Sequence, residues 1–341
     1  MRTDAARLVL LLLAGGVAIV ASLVLAGGFG ATEIGYGDVL AAYCQLLHGD
    51  CEVDAIQARI INDLRLPRAM LALLAGAGLA LAGAVLQIVT RNPLADPYLF
   101  GISSGASFGA VLVIAAFGIE GMASGWSISS GAFAGAALSV LLVISLAGQG
   151  VQVERMLLAG VAVSFMFSAA TSLVLYSSDP SASATLLFWT LGSFSRASWA
   201  GLLVPSVVIA AGLLVFIAYA RMLQGVLAGD ETANALGIDV KRLRIGMLLL
   251  SSLITAVLVA ACGGIGFIGL MIPHIVRRLM PAHTAQQLIA TAIFGGVFMV
   301  WVDVLARTLI AQAELPVGVI TAALGSAFFL LVLRRRAWSD R

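Results

Sequence analysis

Charged residues are scarce in this 341-residue chain. Only 11% of its residues are Asp, Glu, Lys or Arg, whereas 61% are hydrophobic. Soluble globular domains carry about 25% charged residues, so this composition excludes an ordinary water-soluble fold. Lipid must be the solvent for most of the surface. The composition predicts one integral membrane domain over residues 1–341, and a net charge of +2 gives no indication of nucleic-acid binding.

Lysine, cysteine and histidine are also rare. The only lysine, Lys241, follows no glycine-rich loop, which excludes an ATP-binding P-loop. The three cysteines and three histidines show no zinc-ligand spacing. Cys44 and Cys51 share one polar loop, and the sequence leaves open whether they form a disulfide or remain free thiols. We therefore expect no catalytic residue, no metal site and no cofactor bound by this chain.

Long apolar runs are abundant. A transmembrane helix needs about 20 apolar residues. Ten runs approach that length, at 8–26, 69–89, 98–117, 128–147, 156–176, 199–219, 245–262, 265–279, 287–309 and 317–333. The first is too long for a cleavable signal peptide, so we interpret it as a retained span. The sequence predicts an all-α, polytopic membrane protein with about ten transmembrane helices.

The distribution of Lys and Arg predicts the orientation. With the N-terminus in the cytoplasm, fourteen of these residues lie inside and five outside, as the positive-inside rule requires. Both termini and a loop at 221–244 are then cytoplasmic, and loops at 27–62 and 177–198 are periplasmic. The first outer loop is long enough for a short helix. The apolar piece 184–194 of the second is too short to cross and is a candidate lid.

The loop from Arg221 to Arg244 is the longest polar interruption in the second half of the chain. Asp230 is suited to cap a helix, Glu231 to stand in its first turn, and Gly237 to end it. The pattern predicts a short helix at Glu231–Leu236. A capped helix between two spans favours a docking element over a plain surface loop.

Charges within apolar runs are costly and therefore informative. Asp303 and Arg307 stand four residues apart on one predicted helix and can form an ion pair. Alternatively, Arg307 forms a basic rim with Arg65 and Arg68 and receives carboxylates of a partner. These residues alone favour neither interpretation.

Two classes of protein fit these features. One is the permease of a transporter powered by a separate ATPase. The other is an ion-coupled secondary transporter in which Asp303 or Glu154 carries a proton. An intramembrane enzyme fits less well, because the sequence contains no recognisable nucleophile–base set.

Eight motifs, spread over the whole chain in order, decide between these classes because they resemble the FecCD-type permeases of bacterial ABC importers. They are Leu64–Arg68 (LRLPR), Gly83–Asp96 (GAVLQIVTRNPLAD), Leu99–Gly105 (LFGISSG), Leu157–Val161 (LLAGV), Asp230–Gly237 (DETANALG), Gly264–Arg278 (GIGFIGLMIPHIVRR), Asp303–Arg307 (DVLAR) and Glu314–Gly318 (ELPVG).

The resemblance implies a type II ABC importer permease in the bacterial inner membrane. It implies four kinds of neighbour: a second permease subunit (in a homodimer or a close heterodimer), two cytoplasmic ABC ATPase subunits that use ATP and Mg²⁺, a periplasmic substrate-binding protein, and lipid. It places the binding-protein contacts at Arg65, Arg68 and Arg307. It places ATPase coupling at Gly229, Asp230, Glu231, Ala235, Leu236 and Gly237.

The resemblance also implies a translocation path along the fifth span. Its cytoplasmic gate would fall at Gln152, Val153 and Glu154, which are bulkier than the small hydroxyl residues of the vitamin B12 permease. The hydroxyls of Ser103 and Ser104 suit a polar path wall. Arg196 is either a contact for an anionic chelate or a solvated loop residue. A ferric siderophore is the first cargo to expect, followed by haem and cobalamin.

Overall fold

The structure is a computed structural model that describes residues 2–30, 32, 34–47, 49–117, 125–147, 153–178, 189–280, 283–310 and 313–339. This part of the chain is helical and contains no β-sheet. Its helices are α1 (Arg2–Gly28), α2 (Tyr36–Leu46), α3 (Ala55–Arg59), α4 (Leu66–Val89), α5 (Ile102–Phe117), α6 (Gly125–Ala147), α7 (Val153–Ser177), α8 (Trp199–Ala218), α9 (Ala220–Leu227), α10 (Asp230–Ala235), α11 (Val240–Cys262), α12 (Ile268–Leu279), α13 (Thr284–Thr308) and α14 (Val317–Ser339).

Each of the ten apolar runs overlaps one of these helices, which confirms the predicted fold class. Within the described residues, seven helical segments are long and apolar enough to cross a membrane. They contain α1, α4, α6, α7, α8, α11 and α13. Three runs form shorter apolar helices or segments, in α5, α12 and α14.

Helix α4 is the centre of the bundle. A π-helical turn at Ile60–Arg65 joins it to α3, so that the helical segment runs from Ala55 to Val89. It packs against α13, α11, α12 and α8. Its small residues allow close approach: a β-carbon at Gly76 would lie 2.0 Å from the carbonyl oxygen of Gly295 on α13. Backbone-to-backbone packing of this kind is typical of small residues between membrane helices.

Helix α4 ends at one end of the bundle, and helices α7 and α11 begin there. We call it the α10 end. Helices α5 and α12 both start in the interior of the bundle, at some distance from the α10 end. Just before α5, the carbonyl oxygen of Leu99 lies against Gly160, which is seven residues after the start of α7. At 1.5 Å per residue this is a depth of about 10 Å. Gly269, in the first turn of α12, packs against Gly83 at a similar depth. The runs 98–117 and 265–279 therefore contain irregular backbone followed by a shorter helix.

The opposite end of the bundle carries the first long loop, which has room for a short helix and contains α2. The Oη of Tyr43 in α2 donates to the Leu23 carbonyl at 3.1 Å and joins α2 to α1. Burial raises the pKa of Tyr43 to about 12, so its hydroxyl stays neutral.

Cys44 and Cys51 form a disulfide, with Cα atoms 6.1 Å apart. This answers the question that the sequence leaves open.

Replacing Gly76 with Ala should destabilise the protein, because the added methyl would force α4 and α13 apart. Overpacking a core costs about 1–3 kcal/mol, which lowers the apparent Tm by roughly 2–6 °C. Gly16→Ala is the matched control, because it lies in the membrane helix α1 with nothing within 4 Å of the added β-carbon. Equal melting of the two variants in detergent would contradict the close helix crossing.

Candidate functional site

Helix α10 is the short helix predicted in the polar loop, with one correction at each end. It spans Asp230–Ala235 rather than Glu231–Leu236, and its N-cap is Gly229, with φ of 116°, rather than Asp230. Gly237 ends it as expected: with φ of 79° it occupies the left-handed region that favours glycine. Four of its predicted coupling residues are exposed to solvent, namely Glu231, Ala235, Leu236 and Gly237.

Asp230 has a different role from the predicted cap. Its carboxylate lies 3.2 Å from the guanidinium of Arg244 and 3.3 Å from that of Arg91. Arg244 in turn donates to the Val89 carbonyl at 2.8 Å. Helix α10 is therefore attached to the ends of α4 and α11 by charge-assisted hydrogen bonds, while its outer face stays free.

An ion-pair network occupies the opposite end of the bundle. The Nε of Arg68 lies 2.8 Å from Oδ1 of Asp303, and its Nη1 lies 2.9 Å from both carboxylate oxygens of Glu314. The Nε of Arg307 lies 3.4 Å from Oδ2 of Asp303, which confirms the predicted pair. The side chain of Asp303 is fully buried, whereas that of Glu314 is 50% exposed. The network joins α4, α13 and the segment before α14.

Main-chain carbonyls accept further hydrogen bonds from these arginines. Arg65 donates from Nη1 to the Gly27 carbonyl at 2.7 Å and from Nη2 to the Thr32 carbonyl at 2.6 Å. Arg307 donates from Nη2 to the Ala26 carbonyl at 3.1 Å. The end of α1 and the loop after it are thus fastened to α4 and α13.

Arg65, Arg68 and Arg307 do not form a rim of free cations, and their predicted contact with a binding protein stays a prediction. All three residues are buried, with at most 9% of their surface exposed, and their guanidinium groups bind partners within the chain. The sequence indicated one of these partners, Asp303. It gave no reason to pair Arg68 with Glu314, which lies 246 positions away.

Two helix N-termini meet inside the bundle. The backbone N–H of Ile265, just before α12, donates to the Oη of Tyr98 at 2.6 Å. Ser103 and Ser104 stand in the first turn of α5, and the Oγ of Ser104 lies 3.4 Å from the Oγ of Ser168 on α7. Irregular backbone at membrane depth is tolerated where protein covers it or where it lines a water-filled cavity. The two predicted path serines thus lie at such a place.

Three non-helical segments form a junction nearer the opposite end. The amide of Val317 donates to the Gly192 carbonyl at 3.0 Å, and that of Ser193 to the Cys262 carbonyl at 2.9 Å. Gly263 adopts φ of 75°, and a β-carbon there would lie 2.2 Å from the Trp189 carbonyl oxygen. Glycine allows the three segments to cross closely while their backbone polar groups stay hydrogen-bonded.

A cavity of about 340 Å³ lies against this junction. Its polar lining comes from Ser193, Ser195, Arg196 and Glu314. Arg196 is exposed and belongs to no ion pair that the structure shows, whereas Glu314 is held by Arg68. Among the described residues, the arrangement offers the Arg196 guanidinium and two hydroxyls to a ligand entering from the opposite end.

The predicted gate falls at a part of the chain that the structure describes incompletely. Gln152 lies outside the described residues. Val153 begins α7, with the side chain not described, and Glu154 follows in its first turn with an exposed side chain. The gate stays a prediction.

Multiple apolar helices, two of them beginning within the bundle, and a free polar helix at one end define a multi-pass membrane permease. The chain matches the model of the FecCD transport family over residues 17–335 and belongs to that family.

Relatives and a solved structure agree with this assignment. The chain is 39% identical to the hemin transport system permease protein HmuU of Yersinia pestis, over 80% of this chain and 83% of that one. It is 38% identical to the cobalamin import system permease protein BtuC of Halobacterium salinarum, over 81% and 74%. An inward-facing structure described as a metal-chelate type ABC transporter superposes with a TM-score of 0.83 and 31% identity, over 95% of this chain and 98% of that one.

Asp303→Asn should lower stability strongly, because it removes the carboxylate charge that Arg68 and Arg307 share. Breaking a buried ion pair on one side costs about 3–5 kcal/mol, which corresponds to a fall in apparent Tm of roughly 5 °C or more. Asp63→Asn is the control, because its pair with Arg59 is exposed, with an N–O distance of 3.8 Å. It should change stability by less than about 1 kcal/mol. Equal effects of the two variants would show that the network is not structural.

Proposed function

We propose that this chain is the membrane subunit of a binding-protein-dependent ABC importer that moves an anionic iron chelate into the cell. One observation carries the proposal. The chain belongs to the FecCD family, and its fold has a cation-bearing cavity at one end and, at the other, an anchored helix with an exposed face. ATP and Mg²⁺ would be bound and used by partner subunits.

The ATPase subunits would dock on α10. Glu231 on this helix and Leu236 directly after it are exposed, and Leu236 is 68% exposed. An exposed leucine beside a carboxylate suits an interface with an apolar centre and a polar rim. Because Asp230 binds Arg91 and Arg244, a displacement of α10 would be passed to α11 and to the loop that leads into α5. That loop ends where the two helix N-termini meet.

A second permease subunit would complete the path along α7. Leu158, Phe165 and Tyr176 on this helix are 71%, 73% and 91% exposed. Such a series of large side chains suits contact with another copy around a shared pathway, with the gate near Gln152–Glu154. We therefore propose that the permease is a homodimer.

The binding protein would dock at the opposite end, which we assign to the periplasm. The Cys44–Cys51 disulfide supports this side, because disulfides persist in oxidising compartments. Both termini are then cytoplasmic, and the membrane is the bacterial inner membrane. Because Glu314 is half-exposed and covers Arg68, a binding-protein carboxylate can reach that arginine by taking the place of Glu314. Arg65 and Arg307 would hold the docking surface in shape.

The cargo assignment depends on Arg196. A free guanidinium with two nearby hydroxyls suits carboxylate or hydroxamate-type oxygens of a ferric siderophore, or the propionates of haem. Cobalamin lacks those acidic groups and comes third. The names of the relatives do not separate haem from cobalamin, since the two identities differ by one percentage point.

The double variant Glu231→Arg with Leu236→Asp should weaken ATPase binding and leave the permease folded in the membrane. Loss of one apolar anchor and reversal of one charge should cost about 2 kcal/mol, or roughly 30-fold in Kd. Co-purification with the ATPase measures it. The matched control, Glu231→Gln with Leu236→Met, should bind normally. ATPase recovery equal to that of the unaltered protein would refute docking at α10.

Arg196→Gln should raise the KM for uptake of an anionic chelate roughly tenfold, since a hydrogen bond to a charged group is worth about 1.5–3 kcal/mol. Uptake is measured in proteoliposomes that contain the permease, its ATPase and its binding protein, with ferric siderophore, haem and cobalamin in parallel. Arg59→Gln, an exposed arginine at the same end, is the control. An unchanged KM in Arg196→Gln, or transport of cobalamin alone, would contradict the cargo assignment.

A further inference from the structure

A second polar cavity, of about 310 Å³, lies at the α10 end, away from the proposed path and from the exposed face of α10. It opens between the end of α4, the end of α12 and the start of α13. Its polar lining consists of Gln87, Arg91, Arg277, Thr284, Gln287 and Thr291. The composition and the fixed geometry of this lining indicate a ligand.

Two guanidinium groups give the cavity a positive charge. Among the described residues that line it, Arg91 and Arg277 are charged and none is acidic. The carboxylate nearest to Arg91, that of Asp230, does not line the cavity and is itself shared with Arg244. The charge of Arg277 has no carboxylate partner among the ion pairs of the described residues.

The position of Arg277 is fixed in advance by buried hydrogen bonds. Its Nη2 donates to the side-chain oxygen of Gln87, and the Nε2 of Gln87 donates to the Gly269 carbonyl at 2.9 Å. Gln87 is only 3% exposed. A guanidinium makes five donors available, so this anchoring leaves donors for a ligand. Preorganised donors lower the entropic cost of binding.

The start of α13 adds hydrogen-bond donors and partial positive charge. Thr284 is its first residue, and Gln287 lies in its first turn. The first amides of a helix lack intrahelical acceptors, and the helix dipole favours an anion at this position. The cavity therefore combines two guanidinium groups, a helix N-terminus and threonine hydroxyls.

We propose that this cavity binds a phosphate-type oxyanion, either free phosphate or the phosphate of an anionic lipid. Tetrahedral oxyanions accept hydrogen bonds from arginine forks and from helix N-termini. Basic pockets between membrane helices on the cytoplasmic side also receive lipid head groups. Because Arg91 also pairs with Asp230, the site adjoins the anchor of α10.

The test uses the full-length permease in nanodiscs and measures its apparent Tm. In one arm the lipid is phosphatidylcholine and inorganic phosphate is titrated against sodium chloride at equal ionic strength. In the other arm phosphatidylglycerol replaces a fraction of the phosphatidylcholine. Stabilisation by phosphate identifies the free anion as ligand, and stabilisation in the second arm alone identifies the lipid phosphate.

Four variants locate the effect. Arg277→Gln should weaken the stabilising ligand at least tenfold, and Arg277→Lys should restore part of the binding because it keeps the charge. Arg278→Gln is the matched control, because the neighbouring Arg278 is exposed and does not line the cavity. Thr284→Val leaves the bond between Arg277 and Gln87 intact and should weaken binding about threefold. It keeps the proposal testable if Arg277→Gln fails to fold.

Two results would overturn the proposal. One is the absence of stabilisation in both arms. The other is an equal loss of binding in Arg277→Gln and Arg278→Gln. No transport is measured, so the outcome is independent of the proposed function.

Discussion

The bilayer interior offers no water, so this chain must satisfy its buried polar groups internally. The network around Asp303 is the clearest result of that constraint. Its carboxylate is fully buried between Arg68 and Arg307, and Arg68 extends the pairing to Glu314. These contacts hold together segments that are separated by more than 200 residues in sequence. Each charge would be too costly alone, and the set as a whole fixes one end of the bundle.

The same constraint governs the backbone where the helices stop short. Helices α5 and α12 begin inside the bundle, so the irregular segments before them need partners there. The bond between Tyr98 and Ile265 supplies one. The junction around Gly192 and Gly263 supplies further hydrogen-bond partners. It needs glycine because side chains would push the backbone segments apart. Within the part of the chain that the structure describes, irregular backbone inside the bundle therefore lies in two small regions, and both suit a translocation path.

The sequence predicts this fold well, because run length and polarity are local signals. The ten runs follow from the length of the apolar stretches, the short polar helix from its capping pattern, and the pair of Asp303 with Arg307 from a spacing of four residues. The pairing of Arg68 with Glu314 depends on tertiary packing and has no local signal. The sequence also does not locate the irregular backbone in the runs 98–117 and 265–279, since the glycines there fit a helical membrane segment as well as a break. Asp230 is a residue type that often caps helices, but here its carboxylate forms ion pairs with Arg91 and Arg244.

The position of Asp303 bears directly on how transport is driven. A proton carrier must release its proton during the cycle, whereas Asp303 is enclosed by two arginines and acts as their counter-ion. Energy would then enter at α10, from ATP hydrolysed by a partner. The most direct measurement is uptake of the chelate into proteoliposomes that hold the complete importer, under two conditions. Uptake with internal ATP and a collapsed proton gradient, and none with a gradient but no ATP, is the result we predict. Uptake that follows the proton gradient without ATP would contradict this account.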